Sequence, residues 1–241
     1  MKAIILAAGR GSRMKELTID KPKCLLKVKG IPLLERQLYS LKKAGIKDIA
    51  IVTGYKNDML SKYGLKEFHN ERWHETQMFF SLTKAESWLN NFSCIISYSD
   101  IFFDSDIVSN LIKDKSDLAI SYDKDWLSLW SKRFERPLDD AESFRVNNMD
   151  FLTEIGQKVN NIKDISGQYM GLIKTTPTGW KKLEDIFRLL DHDNQEKIHF
   201  TKILNYAITN HNDFIKVIPV TSSWGEVDTK NDLDLYNQIL K

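Results

Sequence analysis

Gly9-Arg10-Gly11-Ser12-Arg13, followed by Lys21-Pro22-Lys23, is the stretch of this chain best equipped for chemistry. Glycine admits positive φ and lets backbone N–H groups approach an anion closely. Arginine and lysine supply fixed positive charge, and a guanidinium grips phosphate oxygens through paired hydrogen bonds. The chemistry implied is the cradling of a polyphosphate. A solvated basic loop is the plain alternative, and these residues alone leave both open. The spacing excludes two standard phosphate loops. Met14 breaks the dinucleotide pattern G-x-G-x-x-G, and Gly11 is not followed by the Lys-Ser/Thr of a P-loop. No Ser-His-Asp or Cys-His constellation competes for a catalytic role, and the five histidines are scattered.

The surrounding elements must hold that loop. Residues 3–7 are a continuous apolar run, which predicts a strand buried on both faces. Pro32 opens a helix with Leu33, Leu34, Leu38 and Leu41 on its apolar face, Lys42 and Lys43 near its end, and Gly45 as its cap. Residues 48–53 read as a second strand ending at Gly54, which completes a βαβ unit. Such units present their binding loops at the carboxyl ends of the strands. Helices are predicted over 56–63, 75–89 and 106–113, and strands over 93–98 and 117–122. Met78, Leu82, Ala85 and Leu89 share one face of the second of these helices. The alternation predicts an open α/β sheet.

Beyond residue 122 the texture changes. Residues 123–137 are rich in Trp, Arg and acids, with no clean period. Strands are predicted over 142–146, 151–155, 168–174 and 214–220, and helices over 177–190, 200–208 and 230–240. The expected organisation is one domain, 1–241, with 123–172 as an elaboration facing the second substrate.

Gross composition narrows the function. With 241 residues and 42% hydrophobic content the chain can bury a substantial core. A formal net charge of +2, without a basic block, argues against nucleic acid as partner. No apolar run reaches the length of a membrane span, and the first residues do not read as a signal peptide. Cys24 and Cys94 have neither metal spacing nor a disulfide framework. The expected compartment is the cytoplasm, with no membrane partner.

The run Leu6-Ala7-Ala8-Gly9-Arg10-Gly11-Ser12-Arg13 with Lys21-Pro22-Lys23 resembles the opening of the nucleotidyltransferases that activate sugar phosphates and phosphocholine. The resemblance runs over nearly the whole chain. It implies a Rossmann-like α/β/α sandwich with a mixed, mainly parallel sheet. It implies that residues 6–13 wrap a nucleoside triphosphate, that Arg13 and Lys23 contact phosphates, and that Lys23 is the cation nearest the α-phosphate. It also implies metal-binding aspartates at Asp100, after Ser97-Tyr98-Ser99, and at Asp228, in Gly225-Glu226-Val227-Asp228. Two carboxylates suit Mg²⁺, which keeps several waters and takes substrate phosphates as further ligands. Taken without the resemblance, each aspartate reads equally as a turn residue or helix N-cap.

Two departures bear on the substrates. The base-recognition segment reads Glu75-Thr76-Gln77-Met78-Phe79-Phe80-Ser81-Leu82, and the metal strand ends Tyr98-Ser99-Asp100 rather than in Gly-Asp. The first resembles the phosphocholine cytidylyltransferase branch. It implies CTP as co-substrate, with Gln77 and Ser81 reading the base and Gly54, Tyr55 and Ser99 beside it. Met78, Phe79 and Phe80 read as core.

Residues 123–136, 141–145 and 167–171 resemble bacterial cytidylyltransferases acting on phosphocholine, aminoalkylphosphonates or a phosphoglutamine used in capsule modification. Trp126 and Trp130, four apart, would share a helix face and could wall a choline-like cation. Arg133 and Arg136 could hold an acceptor phosphate or carboxylate, and Glu142 and Gln168 an amine or amide. The acceptor stays open among these, as does the oligomeric state. A sugar-1-phosphate nucleotidyltransferase using UTP, dTTP or GTP is the rival enzyme, and a non-catalytic nucleotide-binding module the rival of another class.

Overall fold

The computed structural model of the chain describes residues 1–240. Its first half runs β1 (Lys2–Ala7), β2 (Lys27–Val28), β3 (Ile31–Pro32), α1 (Leu33–Lys43), β4 (Ile49–Thr53), β5 (Lys66–His69), α2 (Met78–Thr83), α3 (Glu86–Leu89), β6 (Cys94–Tyr98), β7 (Ile101–Phe103), α4 (Ser105–Lys113) and β8 (Leu118–Asp123). The second half adds α5 (Trp126–Arg133), β9 (Glu142–Val146), β10 (Leu152–Lys158), β11 (Gln168–Thr175), α6 (Pro177–Arg188), α7 (His192–Lys197), α8 (Phe200–Asn210), β12 (Ile215–Pro219), β13 (Trp224–Glu226) and α9 (Lys230–Ile239).

One seven-stranded sheet organises these elements, in the order β12-β8-β11-β6-β1-β4-β5. β11 runs antiparallel to both neighbours, and the other pairings are parallel. Helices flank the sheet, giving the expected Rossmann-like α/β/α sandwich with a mixed, mainly parallel sheet. β1 lies between β4 and β6, and Ala3 through Ala7 are at most 4% exposed, so the strand is buried on both faces. α1 packs through Leu33, Leu34, Leu38 and Leu41, all buried. Each such leucine contributes about 1.5–3 kcal/mol on leaving water. No helix among the described residues is long and apolar enough to cross a membrane.

The parallel register does the positioning. Ala7 lies opposite Thr53, and Leu6 opposite Tyr98, so β1, β4 and β6 end at one level. Their following loops, beginning at Ala8, Gly54 and Ser99, therefore open on the same edge. A second device comes from the far end of the chain. β13 pairs antiparallel with β7, with Gly225 opposite Phe102 and Glu226 opposite Ile101. Val227 N–H then donates to the Asp100 carbonyl at 2.9 Å, which brings the residues before α9 beside the end of β6.

Several elements differ from the patterning. The helix predicted over 56–63 is two short 3₁₀ turns, Asn57–Met59 and Ser61–Tyr63, bounded by left-handed Lys56 and Gly64. The helix predicted over 75–89 begins only at Met78, because Thr76 and Gln77 are held in the preceding turn, and it is divided into α2 and α3. Residues 126–133 form a helix where no period is evident. β5, β7 and β13 are too short to show alternation. Gln168 opens a strand of the main sheet, so only the segment before it stands apart, as α5 and the β9–β10 ribbon.

Candidate active site

The loop after β1 turns at Gly11, which has φ 70°. A Cβ there would lie 2.7 Å from Lys23 Cδ, so glycine lets the loop rest on the lysine stem. At Gly9 a Cβ would meet nothing within 4 Å, so no neighbouring atom in the protein excludes a side chain there. Met14 is buried, which anchors the outgoing chain and leaves Ser12 and Arg13 exposed. Pro22 keeps the backbone extended before the 3₁₀ turn Lys23–Leu25, whose Cys24 and Leu25 are buried.

Lys23 ends between two carboxylates. Its Nζ donates to Asp100 Oδ2 at 2.8 Å and to Asp228 Oδ1 at 2.8 Å. Arg13 forms an ion pair with the other Asp228 oxygen. Burial alone would lower the Lys23 pKa. The Asp100 and Asp228 charges, and the hydrogen bonds to both, outweigh it and hold the ammonium above its ordinary value.

Each carboxylate is held by its own scaffold. Gln37, fully buried on α1, donates to the Tyr98 carbonyl at 2.8 Å and the Ile101 carbonyl at 2.6 Å, while its own oxygen accepts from Ser97. It thereby pins the turn that presents Asp100. Asp228 is held from behind. Asp232 Oδ2 accepts the N–H groups of Asp228 at 3.0 Å and Thr229 at 2.7 Å, within the capping box that starts α9. Arg133, its side chain 1% exposed, locks Asp232 through a 2.8 Å contact and reaches Glu226 at 3.0 Å.

The donor set fits a divalent hard cation. Asp100 Oδ1 is buried and has no hydrogen-bond partner, an orphaned acceptor beside a second carboxylate. Among the described residues no three His, Cys, Asp or Glu side chains stand together as a complete metal cage. Two carboxylates with the remaining positions left to water and phosphate is the pattern Mg²⁺ accepts. Glu226 shares this neighbourhood and was not among the residues singled out from sequence. Burial pushes its carboxyl above the ordinary range; Arg133 opposes the rise, and Asp100 and Asp228 add to it.

Beside the loop lies a hollow of about 140 Å³ lined by Leu6, Ala8, Gly9, Trp73, Thr76, Gln77, Met78 and Ser81. It gathers two expected base readers, Gln77 and Ser81, with the glycine loop. Gly54 abuts it from β4: a Cβ there would lie 2.5 Å from Trp73 Cβ and 2.7 Å from the Ala8 carbonyl oxygen. Tyr55 packs against Trp73 with ring centroids 5.1 Å apart, and the Arg10 guanidinium lies 6.0 Å from the Tyr55 ring centre. Trp73 and Thr76 were missed from sequence, because irregular loop residues carry no period. Ser99 is half-buried between Tyr98 and Asp100. Lys21 lines a different hollow with Lys27 and Glu35. A larger hollow, of about 760 Å³, lies against Arg36, Tyr39 and Phe103 and includes none of these residues.

The acceptor residues expected from sequence are mostly not available. Trp126 and Trp130 share a face of α5, but that face is buried: each is 3% exposed, and Trp130 Nε1 donates to Asp140 at 3.0 Å. They are core, not a cation cage. Arg133 is consumed by Asp232 and Glu226, so it does not reach for an acceptor. Gln168 is buried and tied to the Glu142 backbone, donating to its carbonyl at 2.6 Å. Glu142 and Arg136 remain exposed, Arg136 beside Asp139 at 3.5 Å. Arg133→Met is therefore expected to cost about 3–5 kcal/mol of stability by leaving the buried Asp232 carboxylate without its cation. Urea unfolding checks this; a higher acceptor KM at unchanged stability would restore the acceptor role.

A family model described as the MobA-like NTP transferase domain matches residues 3–153. The chain belongs to that nucleotidyltransferase family. A Campylobacter jejuni protein named CTP:phosphoglutamine cytidylyltransferase is 37% identical, with 98% of each chain covered. A Streptococcus pneumoniae choline-phosphate cytidylyltransferase is 38% identical over 107 residues, covering 43% of this chain and 46% of that one. Among solved structures, the inositol-1-phosphate CTP transferase from T. maritima superposes with TM-score 0.78 at 20% identity, covering 99% of this chain and 95% of that one. The CTP:phosphocholine cytidylyltransferase from Streptococcus pneumoniae gives TM-score 0.73 at 22% identity, covering 100% and 99%. These two likenesses establish the shared fold.

Proposed function

We propose that this nucleotidyltransferase moves CMP from CTP onto the phosphate of a small acceptor, releasing pyrophosphate. The observation that carries the reading is Lys23 bridging Asp100 and Asp228 beneath the glycine loop, whose Gly9 also lines the hollow with Gln77 and Ser81. The full-length similarity to a CTP:phosphoglutamine cytidylyltransferase supports CTP and an acceptor of the phosphoglutamine kind. The burial of Trp126 and Trp130 weighs against a tryptophan cage for choline on α5.

The chemistry follows from charge. An acceptor phosphate oxygen attacks the α-phosphorus in line; the new P–O bond forms as the bond to the bridging oxygen breaks, and pyrophosphate leaves with the electron pair. No covalent nucleophile is needed. The backbone of residues 8–13 wraps the triphosphate, and Gly54 and Trp73 wall the base. Lys23, kept protonated by its two carboxylates, supplies fixed positive charge at the reacting centre, and exposed Arg13 supplies more. Asp100 and Asp228 would hold Mg²⁺, which supplies further neutralisation of phosphate charge.

Pyrophosphate release tests this, with CTP, UTP, dTTP and GTP each paired against phosphoglutamine-like, phosphocholine, aminoalkylphosphonate and hexose 1-phosphate acceptors. Turnover is expected with CTP and a small non-sugar phosphate. Turnover with UTP or dTTP and a hexose phosphate, but none with CTP, would overturn the reading. No release from any pair would favour a non-catalytic nucleotide-binding module.

A further inference from the structure

Arg10, between the two glycines of the loop, carries a charge that no carboxylate among the described residues answers. The neighbouring cations are placed differently. Lys23 lies between Asp100 and Asp228, and Arg13 pairs with Asp228, so the charges of that centre balance two against two. The Arg10 side chain is half-buried, and its Nε is buried without a hydrogen-bond partner. Buried N–H groups are normally paired, so an orphaned one on a guanidinium asks for the acceptor it lacks. The guanidinium lies over the Tyr55 ring, 6.0 Å from its centre. Tyr55 is itself fixed: its N–H donates to the Ala8 carbonyl at 2.8 Å, its hydroxyl donates to the Ile19 carbonyl, and its ring packs on Trp73. Tyr55 follows β4, whereas Asp100, which Lys23 meets, follows β6; β1 runs between those strands. Arg10 and Lys23 therefore hold opposite sides of the loop.

We propose that Arg10 grips the β- and γ-phosphates of the nucleotide and holds the pyrophosphate as it leaves, a task separate from that of Lys23 and Arg13 at the reacting phosphorus. Charge supports the division. A triphosphate brings more negative charge than one Mg²⁺ offsets, and the cations of the Asp100–Asp228 centre are already matched, so the tail of the nucleotide meets its free cation at Arg10. A guanidinium can take two phosphate oxygens at once, and its Nε–H then gains the acceptor it lacks. Direction supports it too. The entering and leaving oxygens lie in line across the phosphorus. The segment proposed for the acceptor, α5 with the β9–β10 ribbon, is tied to the sheet at β11, beyond β6, where Gln168 bonds the Glu142 backbone. An acceptor arriving from that side drives pyrophosphate towards β4, where Arg10 lies. As the bond from the α-phosphorus to the bridging oxygen breaks, the electron pair passes to pyrophosphate, and the guanidinium faces that charge. The assignment rests on the nucleotidyl-transfer reading above and adds to it the cation that takes the leaving group.

Calorimetric titration with CTP, CMP and pyrophosphate, each with Mg²⁺, tests it without needing the acceptor. The wild-type chain is expected to bind CTP more tightly than CMP. Arg10→Ala should weaken CTP and pyrophosphate by about ten-fold or more and leave CMP unchanged, because CMP lacks the phosphates that the guanidinium holds. Loss of CMP affinity by the same factor would place Arg10 on the base or ribose, and unchanged CTP affinity would leave it a solvated side chain; either result overturns the proposal. Lys21→Ala removes an equal charge from the same stretch of chain, but its side chain lines a different hollow. It should leave all three affinities as they are, and a matching loss there would reduce the Arg10 effect to diffuse charge and overturn the assignment. Should Arg10→Ala fail to fold by its circular dichroism melt, Arg10→Gln keeps the stem beside Tyr55 and removes the charge. The same selective loss is expected, and CTP binding equal to the wild type overturns the assignment. A wild type that holds CTP no more tightly than CMP defeats the triphosphate site itself, which separates the two failures.

Discussion

Asp228→Asn is expected to lower kcat by about 10²–10³, the scale seen when one electrostatic contact to a developing charge is removed. The fold should survive. The side chain of Asp228 faces Lys23 and Arg13, whereas its backbone is held by Asp232 and the Val227 contact to Asp100, neither of which needs the carboxylate. Asp100→Asn should behave alike, since Gln37 holds the turn through backbone carbonyls and not through that side chain. Both variants should stay folded, with the unfolding temperature lowered by the loss of one carboxylate from the nearly buried Lys23 ion pair, and should show a raised Mg²⁺ requirement. Near-normal turnover at saturating Mg²⁺ would remove the residue from the centre.

Lys23→Ala should cost kcat by a similar factor of about 10²–10³ and KM much less, because its charge matters most as charge develops on the phosphates. A pure KM effect would confine Lys23 to ground-state binding. A second readout distinguishes its electrostatic role from packing. Removing the ammonium leaves two carboxylates facing each other without their shared cation. Mg²⁺ should then stabilise the variant against heat more than it does the wild type, where Lys23 occupies the same oxygens. Equal stabilisation of both proteins by Mg²⁺ would place the cation elsewhere.

The parts of this site that were legible in sequence share a cause. β1 and the loop after it carry an uninterrupted apolar run and then glycines and cations, and both signals are local. Asp100 follows a strand whose burial is evident from its composition. Asp228 was harder: β13 is three residues long, and its pairing with β7 joins positions far apart in the chain. The resemblance pointed to it where periodicity could not. Trp126 and Trp130 illustrate the opposite limit. Their spacing correctly put them on one face, but spacing does not say whether that face meets solvent or core, and α5 turns it inward. Arg133 is the same lesson for charge: a basic residue in a polar stretch proved to be a buried anchor for α9. Trp73 and Thr76 lie in an irregular turn whose order comes from side-chain hydrogen bonds, and no pattern in the sequence announces those.

The most direct measurement is pyrophosphate release from CTP and a phosphoglutamine-like acceptor by the wild-type chain, first with EDTA and then with Mg²⁺ restored, with the nucleotide product weighed by mass spectrometry. The Lys23–Asp100–Asp228 centre predicts no turnover in EDTA, recovery with Mg²⁺, and one CMP joined to the acceptor for each pyrophosphate released. Release that ignores EDTA, or a product lacking CMP on the acceptor phosphate, would contradict it.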